Sequence, residues 1–190
     1  MLILVRHGRT QANAEGRLQG RIDLPLDELG QRQAAAIGAA LGSVEQVVSS
    51  PLVRARQTAA AIDGPCRVDD RLIELDYGTL DGALPSDIPA ETWARLRADA
   101  DYIPDGGVES ISQVGRRVIL LLDELSTLAA DVDVVVVSHV SPIKAAVAWA
   151  LGVGQEIAWR THLEQASISR IRVSGRGPIL VTYNETAHLR

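Results

Sequence analysis

The sequence predicts an α/β fold, a three-layer sandwich in which a mostly parallel central sheet is covered by helices on both faces. Short, continuous apolar runs indicate strands that are buried on both faces. Between them lie longer segments in which apolar residues recur every three to four positions, the spacing of amphipathic helices. The two kinds of segment alternate along 190 residues without a repeat or a composition shift, so we expect a single domain over residues 1–190.

The predicted elements follow the chain in order. The strands are Leu2–Val5, Gln46–Ser49, Val134–Ser138, Ile168–Val173 and Ile179–Tyr183, and the helices are Leu29–Leu41, Leu52–Ile62, Ile111–Leu128 and Ile143–Leu151. Asp27 with Glu28 is expected to begin the first helix, and Gly42 to end it. Cys66 is expected at the edge of a further short strand.

Serine and proline residues mark the starts of two other helices. We expect Ser49 and Ser50 to cap the second helix, which Pro51 opens at a position where its missing N–H costs nothing. Ser141 is expected to cap the fourth helix, which Pro142 opens. Residues 82–107, called the cover below, contain three prolines and predict an irregular or short-helical excursion that covers a site.

Composition excludes several classes of protein. The formal net charge of −5 argues against a nucleic-acid surface. The longest apolar runs are too short to span a bilayer, and no basic-then-apolar leader indicates secretion. A single cysteine excludes an internal disulfide and favours a reducing compartment, so we expect a cytoplasmic protein without a membrane partner, as a monomer or homodimer.

The candidate catalytic and binding side chains follow the ends of three predicted strands. The first strand ends in Arg6-His7-Gly8, the second leads to Arg54 and Arg56, and the third predicted strand, 134–138, ends at His139. Carboxyl ends of parallel strands meet at one edge of a sheet, where α/β folds bind ligands. One arginine of the Arg54 and Arg56 pair is expected to face this edge and the other to face solvent. An imidazole beside a guanidinium suits attack on a phosphoryl group.

A carboxylic acid completes this chemistry. Glu74 lies between Leu72, Ile73 and Leu75, in a setting where loss of water favours the protonated form, so it is the expected proton donor for a leaving alkoxide. Asp76 is the competing candidate. A metal site on the two histidines lacks a cysteine or carboxylate cluster at ligand spacing, so we expect neither metal nor cofactor.

In order along the chain, these blocks resemble the histidine phosphatase superfamily, the phosphoglycerate-mutase-like fold, over essentially the whole sequence. The resemblance rests on the Arg-His-Gly opening within Leu4–Thr10, on Asn13, Arg17, Gln19, Gly20, Asp23, Pro25, Leu26, Gly30 and Gln33-Ala34, on Ser49–Arg54 with Gln57-Thr58, and on Glu74 with Gly78 and Gly82. Residues 138–144 and 184–189 resemble acid-phosphatase domains that some proteins fuse to a ribonuclease H domain, and α-ribazole phosphatases. We expect no ribonuclease H portion within residues 1–190.

The resemblance implies a role for each site residue. His7 would be the nucleophile, Glu74 the acid and later the base, and protonated His139 a phosphoryl-binding group. Arg6, Arg54, Asn13 and Thr10 would also hold the phosphoryl group. Val140-Ser141-Pro142 stand where the family often has glycines, but a backbone N–H at Val140 remains as a donor, and Asp105–Ser110 alter the family's Pro-Gly-Gly-Glu-Ser.

The expected activity is metal-independent hydrolysis of small phosphomonoesters through a phosphohistidine. A mutase, which returns the phosphoryl group to its substrate, and a non-catalytic phospholigand-binding module are the alternatives. Gln19, Gly20, Trp93 and Tyr102 are expected to rim the substrate pocket, and the apolar cover favours a monophosphate with an apolar remainder. His162 and His188 have no matching role; a structural position is expected for the former and a solvated one for the latter.

Overall fold

Six strands form one sheet in a computed structural model that describes residues 1–190. They are β1 (Leu2–Arg6), β2 (Gln46–Ser49), β3 (Cys66–Val68), β4 (Val134–Ser138), β5 (Ile168–Ser174) and β6 (Gly177–Glu185). Their order across the sheet is β3-β2-β4-β1-β5-β6. The first four in this order are parallel, whereas β5 is antiparallel to β1 and β6 is antiparallel to β5.

Six α-helices connect and cover the strands. They are α1 (Gln11–Ala14), α2 (Glu28–Leu41), α3 (Val53–Ala59), α4 (Ala90–Ala98), α5 (Ile111–Asp131) and α6 (Val140–Leu151). Short 3-10 helices lie at Asp70–Leu72, Gly78–Leu80, Pro85–Asp87, Gln155–Arg160 and Ala187–Leu189. No helix combines the length and the apolar character that crossing a membrane requires.

The alternation of side chains along β1 divides the interior into two cores. Leu2 and Leu4 pack on one face with buried residues of α5 and α6. Ile3 and Val5 point to the other face and pack with α2 and α3. Successive side chains of a strand point to opposite faces, so a strand that is apolar throughout needs cover on both sides. The predicted α/β sandwich with a mostly parallel sheet is therefore confirmed.

The start and end of α2 agree with the sequence. The Asp27 carboxylate accepts a hydrogen bond from the Gly30 amide at 2.7 Å, which caps a helix beginning at Glu28. Gly42 ends the helix with a φ of 65°, a backbone conformation that glycine adopts without steric cost. The predicted capping of this helix is confirmed at both ends.

The starts of α3 and α6 differ from the sequence-based expectation. α3 begins after Leu52, and the Asp23 carboxylate, rather than Ser49 or Ser50, accepts the Val53 amide proton at 2.7 Å. α6 begins directly after His139, so Ser141 and Pro142 lie in its first turn. The proline is tolerated there because the first four amides of a helix have no intrahelical acceptor.

The parallel register of β1, β2 and β4 brings three strand ends together. Arg6 pairs with Ser138, so His7 and His139 follow at the same level on neighbouring strands. Ser49 pairs with Val137, which places Ser50 beside them. We call this end of the sheet the carboxyl edge.

Candidate active site

His7 is a buried imidazole whose protonation is fixed by its own neighbour. Its Nδ1 lies 2.7 Å from the Gly8 carbonyl oxygen, which can only accept, so Nδ1 carries the proton. Nε2 is then unprotonated and lies 3.3 Å from Arg54 Nε, which donates to it. Burial, followed by the charges of Arg54 and Arg6, lowers the pKa of His7 well below its ordinary value. His7 therefore carries its lone pair on Nε2, where it accepts a hydrogen bond from Arg54 in this structure.

His139 has the opposite tautomer. Its Nδ1 accepts a hydrogen bond from Arg54 Nε at 3.2 Å, so its Nε2 carries the proton and donates to Ser50 Oγ at 2.7 Å. Burial and the Arg54 charge lower the pKa of His139 well below the ordinary histidine value. A second buried cation beside Arg54 is disfavoured here, whereas the expected protonated His139 refers to the phosphoryl-bound site and stays a prediction. The two ring centroids lie 5.0 Å apart.

Arg54 is the charged group between the two imidazoles. Its side chain is fully buried, whereas Arg56 is exposed, so one arginine of this pair faces the carboxyl edge and the other faces solvent, as the sequence indicates. Its terminal nitrogens donate to the carbonyls of Ile22 at 2.9 Å and Gly20 at 2.7 Å. The N–H on Nε is shared by both histidines, and each terminal nitrogen has a second N–H besides the one donated to the loop.

Arg6 supplies a second buried cation with an unused donor. One terminal nitrogen donates to the Leu163 carbonyl at 2.5 Å, whereas Nε has no hydrogen-bond partner within the protein. Burial lowers the pKa of Arg6 to about 10, which keeps the side chain charged at neutral pH. A buried donor without a partner is uncommon in folded proteins and is suited to an incoming anion.

The Glu74 side chain binds the backbone amides at the start of α6, beside His139. Its carboxylate accepts hydrogen bonds from the amides of Leu75 at 2.7 Å, Val140 at 3.0 Å and Ser141 at 3.2 Å. The Val140 N–H, expected to bind phosphate, is therefore engaged by Glu74 in this structure. A helix start attracts anions, and Glu74 occupies that position here.

Asp76 has a different environment from Glu74. One of its oxygens accepts the Gly78 amide proton at 2.9 Å, and the other pairs with Arg21 at 3.2 Å. Arg117 holds this segment by donating to the Arg71 carbonyl at 2.6 Å and to the Glu74 carbonyl at 3.3 Å. The competing carboxylate is thus bound in a surface ion pair, whereas the buried Glu74 contacts the helix that follows His139.

Thr10, Asn13 and Gln19 are linked to one another. Thr10 caps α1 by accepting the Asn13 amide proton, and its hydroxyl donates to Gln19 Oε1 at 2.6 Å. The Asn13 side-chain oxygen accepts the Thr10 amide proton at 3.2 Å, which leaves its Nδ2 without a protein acceptor. The expectation that Thr10 binds phosphate is not supported by this arrangement, because its hydroxyl proton is already donated. Asn13 retains a free donor.

The two aromatic residues of the predicted rim have internal partners. Trp93 packs edge-on against Trp159 at 6.0 Å between ring centroids, and its indole N–H donates to the Pro85 carbonyl at 3.1 Å. The Arg95 guanidinium lies 4.0 Å from the centre of the Tyr102 ring. The geometry thus gives Trp93 and Tyr102 a packing role within the cover, which differs from the expected substrate contact.

The remaining histidines and the cysteine lie apart from this cluster. His162 is exposed and pairs with Glu164 at 2.9 Å. His188, expected in solvent, is half-buried and lies 2.9 Å from the Ala166 carbonyl. Cys66 is an exposed residue of β3. No group of three or more His, Cys, Asp or Glu side chains is arranged to hold a metal ion.

Four side chains near the site were not found by sequence reasoning. Ser50 is predicted to lie at the same strand-end edge but without its bond to His139, and the sequence gives Tyr77, Asp81 and Arg117 no role. Burial raises the pKa of Tyr77, with the nearby Glu74 charge adding to the effect. Asp81 binds the loop that holds Arg54. The sequence signal that could have identified Asp81 is its position as a carboxylate between Leu80 and Gly82. No comparable sequence signal identifies Arg117.

The comparisons with known proteins cover nearly the whole chain. The family model of the histidine phosphatase superfamily, branch 1, matches residues 2–186. The bifunctional protein Rv2228c of Mycobacterium tuberculosis is 37% identical over 99% of this chain, which corresponds to 54% of that protein. The chain therefore spans about half the length of this relative.

Two further relatives match over most of their own length. Phosphoserine phosphatase 1 of Hydrogenobacter thermophilus is 33% identical and covers 99% of this chain and 93% of its own. A phosphoserine phosphatase variant of Entamoeba histolytica, solved in complex with phosphoserine, superimposes with a TM-score of 0.91 at 27% identity, covering 100% of this chain and 98% of that chain. With the family model matching residues 2–186, the chain belongs to branch 1 of the histidine phosphatase superfamily.

Proposed function

We propose that this protein is a phosphatase that hydrolyses small phosphomonoesters through a phosphohistidine on His7, without a metal or cofactor. The observation that carries the proposal is the unprotonated Nε2 of His7, which faces a buried guanidinium N–H at 3.3 Å. A nucleophile needs a free lone pair, and a phosphoryl group needs cationic donors beside that lone pair. Both requirements meet at this one point of the carboxyl edge.

In the first displacement, His7 Nε2 attacks phosphorus, and the bond from phosphorus to the leaving oxygen breaks. Arg54 Nε, the free Nε of Arg6 and the Asn13 amide stabilise the phosphoryl oxygens. The two arginines supply permanent positive charge to the site, and His139 lies beside Arg54 Nε. Glu74 enters this step in its protonated form and gives that proton to the leaving oxygen, which departs as an alcohol and leaves Glu74 as a carboxylate.

In the second displacement, water attacks phosphorus on the opposite side from His7. The Glu74 carboxylate takes a proton from that water, the bond between nitrogen and phosphorus breaks, and inorganic phosphate leaves. Glu74 and His7 are then in their starting protonation states. Three backbone amides donate to the Glu74 carboxyl group, and two of them lie in the first turn of α6. Because α6 begins directly after His139, these bonds hold Glu74 close to His139.

The relatives support a small phosphorylated metabolite as substrate, since two of them are phosphoserine phosphatases. The expected preference for an apolar remainder loses part of its basis, because Ile88, Trp93 and Leu96 of the cover line a cavity of only about 20 Å³ together with Leu75, Tyr77, Ile111 and Trp159. That volume accommodates about one water molecule. The preference for a single phosphate remains part of the proposal.

A mutase would need cations for the second phosphate of its substrate. The cover carries only Arg95 and Arg97 as basic residues, and Arg95 is stacked on Tyr102. Five carboxylates lie in the same segment, at Asp87, Glu91, Asp99, Asp101 and Asp105. Unpaired anions beside carboxylates weaken binding, so hydrolysis is favoured over return of the phosphoryl group to substrate.

The test is to trap the phosphoenzyme. Wild-type protein mixed with a labelled phosphomonoester and quenched should retain an acid-labile, alkali-stable phosphoryl group. His7→Ala should lose it and should lose roughly 10³-fold or more in kcat, because the nucleophile and its electrostatic partners act as a unit. His162→Ala, at an exposed histidine, is the matched control and should behave as wild type. Near-normal turnover in His7→Ala would exclude the mechanism.

A further inference from the structure

The loop at residues 20–22 holds the Arg54 guanidinium from the side away from the histidines. The carbonyls of Gly20 and Ile22 accept from its two terminal nitrogens at 2.7 and 2.9 Å. The Nε N–H faces His7 and His139. Because Arg54 is fully buried, its side chain has no solvent-exposed alternative. The direction of the shared N–H is therefore set by the position of this loop.

The three backbone amides of the same loop all point to one carboxylate. Asp81 Oδ1 accepts from the Gly20 amide at 2.8 Å, and Asp81 Oδ2 accepts from the amides of Arg21 at 2.7 Å and Ile22 at 2.8 Å. Hydrogen bonds to an ionised carboxylate are shorter and stronger than neutral ones. The loop is thus fixed through its N–H groups by Asp81, and it fixes Arg54 through its carbonyl groups.

We propose that Asp81 is a positioning residue of the phosphoryl site: it acts through the loop at residues 20–22 to keep Arg54 Nε directed at the bound oxyanion. The inference rests on the proposed function for the nature of that anion. Asp81 touches neither histidine and is not itself a catalytic residue.

The packing around Gly20 shows that this loop has no room to shift toward the Glu74 segment. A Cβ atom at Gly20 would lie 2.6 Å from the Leu75 carbonyl oxygen and 2.9 Å from Tyr77 Cδ2. The loop is therefore confined between that segment and Asp81. Asp81 also provides negative charge near Arg54. Burial lowers the pKa of Arg54, and the carboxylates of Glu74, Asp23 and Asp81 oppose this by favouring the charged guanidinium.

Asp81→Asn tests the proposal with little change in shape. An amide offers one acceptor oxygen, and its NH₂ group would face the N–H groups of the loop, so donor would meet donor. We expect the loop to move and the affinity for orthovanadate to fall roughly 10- to 100-fold, since misplacing a binding group by about 1 Å costs up to about 10²-fold. The value of kcat for an aryl phosphate should fall with it.

Asp27→Asn is the matched control. Asp27 also accepts a backbone amide, from Gly30 at 2.7 Å, and pairs with Arg9 at 2.7 Å, but it makes no hydrogen bond or ion pair with residues 20–22. A similar decrease in Tm is expected in both variants, with weaker orthovanadate binding only in Asp81→Asn. If Asp81→Asn lost thermal stability but bound orthovanadate within about twofold of wild type, the residue would be structural only, and the proposal would be wrong.

A double-mutant cycle identifies the route of the effect. In an Arg54→Met background, Asp81→Asn should change orthovanadate affinity by less than about twofold, because its influence passes through Arg54. An undiminished effect in that background would overturn the proposal. Anion binding is read without turnover, so failure of the phosphohistidine mechanism would appear in the His7→Ala experiment and would leave these binding results interpretable.

Discussion

Side chains at the carboxyl edge and in the cover are held by different kinds of contact. At the edge, His7, His139 and Arg54 each have hydrogen-bond partners that fix their orientation, and all three are buried. In the cover, Trp93 and its neighbours are held mainly by apolar packing around a nearly filled cavity. The edge is built for directed polar interactions, whereas the cover stabilises the segment beside it. Substitutions in the two regions should therefore affect different properties.

Among the remaining substitutions at the carboxyl edge, replacing Glu74 is expected to give the largest decrease in the rate of hydrolysis. Glu74→Gln removes the proton donor, so hydrolysis of alkyl phosphates should slow by roughly 10²- to 10⁴-fold. Aryl phosphates, whose leaving oxygen needs little protonation, should slow far less. Steady-state kinetics on both substrate classes would measure the difference.

Asp76→Asn is the control for that experiment. Asp76 is held by the Gly78 amide and by Arg21, so the proposal gives it no proton transfer, and its loss on either class of substrate should stay below the roughly 10²-fold or more of a general acid. Equal losses on alkyl and aryl phosphates in Glu74→Gln would assign Glu74 to binding. A leaving-group-dependent loss in Asp76→Asn would make Asp76 the acid.

In the cover, Trp93→Ala should reduce stability and leave chemistry intact. Removing a half-buried indole that packs on Trp159 should cost about 2 kcal/mol in the free energy of unfolding, below the range for fully buried rings. We expect kcat/KM to change less than about threefold. Urea denaturation and kinetics on the same samples would measure both, with Trp93→Phe as the variant that retains ring packing. A kcat/KM loss above about tenfold in Trp93→Ala, restored in Trp93→Phe, would return Trp93 to the substrate pocket.

The two buried histidines should make stability fall in mild acid. The pKa of each is well below the ordinary 6.5 in the folded chain, so only the unfolded chain takes up these protons as the pH falls through 6.5. Their contribution is fully present above pH 6.5 and is lost below it, at up to about 1.4 kcal/mol per pH unit for each histidine. Denaturant unfolding between pH 7 and pH 5 would measure the slope.

Replacing either histidine should remove its share of that slope. His139→Gln should reduce the pH dependence, whereas His162→Gln, at an exposed position, should leave it unchanged. A wild-type slope that persists in His139→Gln would show that His139 is already protonated in the folded state near pH 6.

The smallest effect is expected from removing metals. The positive charge of the edge comes from Arg6 and Arg54, so dialysis against a chelator should leave activity within experimental error of the untreated enzyme. Activity that is lost on chelation and recovered with zinc or magnesium would instead favour a metal site between the two histidines.

The same contrast explains what the sequence could predict. The ends of β1 and β4 can be predicted because each coincides with the end of an apolar run. Parallel pairing of the two strands then brings His7 and His139 together. The sequence predicts the cover as an irregular excursion over the site with Trp93 and Tyr102 at the substrate rim, whereas both side chains have packing partners within the protein. The partner of Trp93 lies 66 positions further along the chain, at Trp159, and no local pattern encodes such a pair.

Within the edge, the residue types were foreseeable and their partners were not. Arg54 is visible in sequence as an arginine at a helix start, but the loop that orients it is connected through Asp81, far along the chain. Thr10 has the side chain of a phosphate ligand and serves as a helix cap. The tautomers of His7 and His139 depend on Gly8 and Ser50, which only the folded geometry identifies as their partners.

The pairing of Arg6 with Ser138 has a consequence for how this active site can change. Adjacent strands of a sheet are about 4.8 Å apart, a spacing set by backbone hydrogen bonds and independent of side-chain identity. The imidazoles that follow this pair are separated by nearly the same distance, 5.0 Å. Backbone pairing therefore sets the spacing of the two imidazoles. The loops and the cover can change to accept a different leaving group without altering that spacing.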